Sequence, residues 1–182
     1  MQVAAINDCL YRSMFRSRFV VVFDWDEIIV PYGASDSWTE LLEAATRQWS
    51  TSLNDTMKPA FPAAYSLRSA FFKPDCNRSC NNNSVFDVLR VRSDIFPQGR
   101  RTKYFVWTQL AVMAEIHGMH MCLEPPDEFR TVEVPDDIAL VHHASVRSWG
   151  SWGSDFRMDR YAAKIRKRES ARYAKVEALR QY

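Results

Sequence analysis

The sequence predicts an α/β domain, a sheet covered by helices, and three observations carry that expectation. Phe19-Val20-Val21-Val22-Phe23 is an uninterrupted β-branched and aromatic run, the pattern of a strand buried on both faces. Segments of helical period lie on either side of it: Val3, Ile6, Leu10 and Met14 before, and Trp38, Leu41, Leu42 and Ala45 after. Short strand-like stretches recur downstream. The length of 182 residues suits one domain with a real core.

Taken in order, Gln2 to Phe15 reads as a helix. Arg18 to Val30 reads as a strand that meets Asp24-Trp25-Asp26-Glu27, resumes as Ile28-Ile29-Val30, and is ended by Pro31 and Gly33. Ser35 to Ser37 offers an N-cap, and Glu40 stands three residues after Ser37, as a capping box requires. Thr51 to Pro62 reads as loop, Ala64 to Phe72 as strand, and Lys73 to Ser84 as a loop rich in Asn, Cys and Ser. Arg101 to Trp107 is strand-like, Ala111 to Met121 a strand or short helix, and Pro125 to Pro135 an acidic, turn-prone stretch. Ile138 to His143 is a short strand ending in two histidines. Residues 155–182 form a basic amphipathic helix, set apart from a domain over residues 1–154.

A formal net charge of +2 gives no reason to expect nucleic acid as a partner. The basic C-terminal helix intersperses its cations with Asp159, Glu169 and Glu177, as a solvated face does. The apolar run at Phe19 to Phe23 is too short to cross a bilayer, and Met1 to Asp8 lacks the features of a signal peptide. Of four cysteines, Cys76 and Cys80 are close enough to bridge, although Cys9 or Cys122 could compete. No second Cys or His pair has zinc-site spacing. Sequons at Asn54, Asn77 and Asn82, beside that cysteine pair, point to an oxidising lumen.

The chemistry gathers at the end of the first strand. Two carboxylates one residue apart, beside an apolar core, need a compensating charge, and a hard divalent cation is the simplest source. Asp26 is read as a direct ligand. Asp24 binds the metal through water or holds a ribose, and Glu27 orients the loop or contacts the sugar. Trp25, between them, is a candidate substrate contact. The histidines His117, His120, His142 and His143 could complete coordination or bond a diphosphate oxygen. Trp149 and Trp152, flanking glycines, could stack on an acceptor sugar or anchor their loop.

Ile6-Asn7-Asp8-Cys9-Leu10 on the first helix, followed by Val22-Phe23-Asp24-Trp25-Asp26-Glu27-Ile28-Ile29-Val30-Pro31, resembles glycosyltransferase family 92. Its members carry an Asn-Asp-Cys-Leu helix and then Asp-x-Asp-Glu-(Phe/Ile)-Ile-x-Pro. Lys103 with Ile116-His117 is similar to the family's Lys…Gly-(Ile/Val)-His segment, and Leu140-Val141-His142-His143 to its Leu-x-His-Tyr-Arg segment. The resemblance implies a GT-A-like, Rossmann-related fold, Mn²⁺, and a UDP-sugar donor. It also implies transfer of galactose to a glycan on glycoprotein or glycolipid, in the Golgi lumen, by a single-pass membrane protein. It places Asp24, Asp26 and His143 at the metal, and Asp24, Trp25, Glu27, His117 and Trp149 toward substrate. Glu115, just before His117, is the candidate general base. In the family the D-x-D strand lies mid-domain, so the chain corresponds to the C-terminal part, its N-terminal half and anchor missing. Ala144-Ser145 replaces Tyr-Arg, which removes a phosphate-binding cation, and Glu115 replaces a glycine.

Two other classes compete with an active transferase. One is a non-catalytic copy of the same fold that binds a glycan or a protein partner. The other is a Mg²⁺-dependent phosphatase with Asp24 as nucleophile. The Glu27-to-Pro31 continuation argues against the phosphatase, which wants a small residue there.

Overall fold

A computed structural model describes residues 2–53, 61–74, 89–122, 129–145, 147 and 149–180. The sequons at Asn54, Asn77 and Asn82 and the pair Cys76/Cys80 lie outside the described residues. Cys9 and Cys122 are free thiols. The chain divides into two compact units, Met1–Ala70 with Ile95–His143, and Phe71–Asp94 with Ala144–Tyr182. Among the described residues no helix is long and apolar enough to cross a membrane.

The first unit opens on α1, Gln2–Ser13. It docks through Ile6 and Leu10 onto Tyr104, Val106, Ala111 and Ala114. Asn7 fixes the docking: its amide nitrogen donates to the Ala114 carbonyl at 2.9 Å, and its oxygen accepts the Ala114 N–H at 3.0 Å. Asn7 thus pairs with the chain as a neighbouring strand would.

Strand β1, Phe19–Val22, is the edge of a four-stranded sheet. The order is β1, then β6 (Lys103–Trp107), β3 (Phe61–Leu67) and β9 (Phe129–Val134). Both faces of β1 do meet core: Val20 and Val22 pack on the α1 side, Phe19 and Val21 on the opposite cluster. Its residues are nevertheless only half-buried, because an edge strand is covered on one side alone. The expected strand from Arg18 to Val30 is in fact two. After the acidic turn, β2 (Glu27–Pro31) leaves this sheet and pairs with β10 (Ala139–Ala144), antiparallel.

Helix α2, Trp38–Ser52, begins at the expected capping box, with the Ser37 hydroxyl and Glu40 carboxylate each taking a backbone N–H of the other residue. Its Leu41, Leu42 and Ala45 fill a core with Ile29, Tyr65, Leu67, Phe105, Val132, Val134 and Val141. The stretch from Ala111 to Met121 resolves into a hairpin of β7 (Ala111–Ala114) and β8 (Met119–Cys122). Much of the stretch from Pro125 to Pro135 is not turn: β9 pairs parallel with β3. Val132 and Val134 are buried while Thr131 and Glu133 are exposed, a strand alternation masked by the acidic residues and prolines around it.

The second unit holds the ladders of β4 (Ser69–Pro74, from Phe72) with β5 (Leu89–Ser93), and of β5 with β11 (Trp152–Ser154). Asp155, buried, binds Arg92 and Arg157. Helix α3 runs over Asp159–Arg180. Its apolar residues are spaced around the whole axis rather than along one stripe, so the expected amphipathic character is absent. Both units together are a mixed α/β fold, and of the ladders described all but β3–β9 are antiparallel.

Candidate metal and donor site

The acidic turn between β1 and β2 is closed twice. The Glu27 N–H donates to the Asp24 carbonyl at 3.1 Å, and the Asp24 N–H donates to Glu27 Oε2 at 2.8 Å. This turns Trp25 fully into solvent and leaves the Asp24 and Asp26 side chains 47% and 55% exposed. Glu27 points the other way and is 2% exposed.

Two other elements complete the cluster. Lys103, the first residue of β6, is 1% exposed, and its ammonium lies 2.8 Å from Asp24 Oδ2 and 3.0 Å from Glu27 Oε2. The β2–β10 register sets His143 opposite Glu27. The imidazole spans two carboxylates, with Nδ1 3.2 Å from Glu27 Oε1 and Nε2 3.0 Å from Asp26 Oδ2. Burial pushes the Glu27 carboxyl up, but contacts from His143, the Asp24 amide and Lys103 outweigh it and leave its pKa below the usual value. Contact with Glu27 raises the His143 pKa, against the effect of burial and with help from Asp26.

Three carboxylates therefore face one ammonium and one imidazole, and the cluster remains net negative. Adjacent ligand atoms of an octahedral dication with bonds of about 2.1 Å lie about 3 Å apart. The 3.0 Å between Asp26 Oδ2 and His143 Nε2 suits two such corners, with an oxygen and an imidazole nitrogen that Mn²⁺ accepts. Asp24 Oδ2 lies against the Lys103 ammonium, at 2.8 Å. Among the described residues no group of three or more His, Cys, Asp or Glu side chains is arranged to hold a metal. The protein residues thus fit part of a coordination shell, which leaves corners for water or phosphate oxygens.

The sequence profile of glycosyltransferase family 92 matches residues 1–177. The chain belongs to that family. Membership carries glycosyl transfer as the reaction class. No curated protein matches the chain.

Within this family 92 chain, the other sequence-derived candidates have contacts of their own. Glu115 sits at the turn of the β7–β8 hairpin, half exposed, 3.5 Å from His120. Its carbonyl accepts from the Tyr104 hydroxyl. Tyr104 and Lys103 leave β6 on opposite faces, so the strand stands between Glu115 and the acidic turn. His117 donates from Nδ1 to the Thr102 carbonyl at 3.1 Å, which ties it to the residue preceding Lys103. Trp149 belongs to the second unit, where its carbonyl accepts the Asp94 N–H. The Glu27 carboxylate is buried and accepts the Asp24 N–H within the turn. His142 is buried against Tyr32, Nε2 to hydroxyl 2.6 Å.

Lys103 is the member of the cluster that sequence reasoning left without a role. The signal was a lysine opening the apolar run Tyr104-Phe105-Val106-Trp107, where an unpaired ammonium would be costly. A hollow of about 700 Å³ lined by Arg18, Phe19, Tyr65, Phe61 and Trp107 opens at the opposite end of β6, about 13 Å along the strand. It is largely apolar and is distinct from the carboxylate cluster.

Proposed function

We propose that this chain transfers a hexose, galactose from UDP-galactose, to a glycan acceptor on glycoprotein or glycolipid, with Mn²⁺, in a GT-A-type fold and in the Golgi lumen. The observation that carries the metal reading is the 3.0 Å approach of His143 Nε2 to Asp26 Oδ2 at the tip of the acidic turn. Asp26 and His143 are the residues that would hold Mn²⁺. The bound cation would offset the charge that develops on the departing diphosphate. Asp24, restrained by Lys103 and half exposed, is placed to accept from a ribose hydroxyl or a metal-bound water. Trp25 offers its whole ring face to a base or a sugar. Donor, metal, acceptor and compartment rest on the family resemblance together with this geometry.

Calorimetric titration with UDP-galactose tests the reading. Binding is expected with Mn²⁺ present and is expected to be lost with EDTA or in Asp26→Ala. Equal binding with and without Mn²⁺ would remove the metal from the site. Tighter binding of another UDP-sugar would replace galactose and leave the metal reading intact.

A further inference from the structure

Asp24, Lys103, Glu27, His143 and Asp26 form one continuous chain of contacts, of 2.8, 3.0, 3.2 and 3.0 Å in that order. It alternates in charge and begins and ends on carboxylates of the same turn. Its ends are exposed and its middle is sealed: the Lys103 and Glu27 side chains are 1% and 2% exposed. The middle pair touches no solvent from which a sugar or nucleotide could approach. A buried ion pair is also a poor source of stability, because an apolar pair of similar volume commonly serves as well or better. What the pair does supply is direction. Glu27 Oε1 faces one nitrogen of His143, so the other nitrogen is aimed at Asp26. The ammonium, in turn, donates to Asp24 Oδ2 at 2.8 Å.

We propose that Glu27 and Lys103 are positioning residues for the donor site. Glu27 sets the ring orientation of His143 and keeps the Nδ1 proton in place, so that Nε2 is presented beside Asp26. Lys103 holds Glu27 in that pose and reserves Asp24 for the nucleotide side. The inference rests on the donor-site reading above and adds to it the two residues that touch neither metal nor substrate.

The test is the double variant Glu27→Met/Lys103→Met, which removes both buried charges together. It is expected to fold with a thermal midpoint no lower than that of the parent chain. Two readouts then separate positioning from packing. In the metal-free parent protein, ¹⁵N-resolved NMR should detect a proton on Nδ1 of His143, and that signal should vanish in the double variant. Mn²⁺ affinity should fall on the order of 10- to 100-fold, the usual cost of losing such an outer partner. A double variant that folds and keeps both the proton signal and the parent's Mn²⁺ affinity would overturn the proposal. So would absence of the Nδ1 proton signal in the parent. A parent that shows the signal yet binds no Mn²⁺ would instead sink the donor-site reading, and with it the purpose assigned to the pair. Glu27→Gln, which can still accept from Nδ1, should retain more Mn²⁺ affinity than the double variant; equal loss in both would likewise count against positioning.

Discussion

Lys103 and its neighbour Tyr104 show how two adjacent residues of one strand take opposite environments. Lys103 leaves β6 toward the carboxylates, and truncating it alone takes the ammonium from Glu27 in a site that water does not reach, leaving it the Asp24 N–H and His143. Lys103→Met by itself should therefore cost about 3 kcal/mol of stability, read from urea unfolding. A loss under about 1 kcal/mol would mean that Glu27 finds solvent or another partner. Tyr104 leaves toward α1. Burial, and then the nearby Glu115 charge, push its phenol well above the ordinary tyrosine value. A folded-state value raised above the unfolded one gives a contribution that is full below about pH 10 and is lost as pH rises beyond it. The thermal midpoint should fall above about pH 10, and Tyr104→Phe should flatten that limb. A limb equally steep in Tyr104→Phe would assign it to another group.

At the scale of elements, short local signals and long-range docking act separately. The capping box of α2 lies wholly within residues 37–40, and Ser37→Ala should cost about 1 kcal/mol. Asn7 belongs to α1 but acts on β7, with two hydrogen bonds to Ala114. Asn7→Ala leaves the Ala114 amide and carbonyl without those bonds and should cost about 1–3 kcal/mol in denaturant unfolding. Asn7→Asp keeps the acceptor but not the donor, so it should be milder than alanine at the amide and worse at the carbonyl. A neutral Asn7→Ala would show that Ile6 and Leu10 dock the helix without it. Strand β9 carries the opposite lesson, because its alternation of Val132 and Val134 with Thr131 and Glu133 is legible only once β3 is known to lie beside it.

For the whole molecule, sheet order sets where stability concentrates. In the first unit, β3 and β6 are interior and β1 and β9 are edges. Amide hydrogen exchange should be slowest in β3 and β6, at Ala64 to Leu67 and Tyr104 to Val106, and faster at the β1 edge. Protection at β1 equal to that of β3 would indicate that something covers its outer edge. The candidate site draws on the β1–β2 turn, the start of β6 and the end of β10, so it forms only when this unit is assembled. If Mn²⁺ binds as proposed, its loss and the unfolding of the first unit should therefore coincide on a denaturant titration.

The sequence by itself determined the α/β class, the α2 cap, the acidic turn and the family, because each rests on residues adjacent in the chain or on a local period. Asp24, Asp26 and Glu27 could be picked out for the same reason: carboxylates beside an apolar run need an explanation wherever the rest of the chain goes. Which of them faces solvent was decided by the turn, closed by hydrogen bonds between Asp24 and Glu27. That Lys103 neutralises Glu27 was decided by tertiary structure alone, and the strand register gives the physical reason that His143, which the family resemblance had grouped with Asp26, is the histidine that meets it. A ladder register places alternate residues on opposite faces, and no spacing within the chain can state which strand will lie alongside.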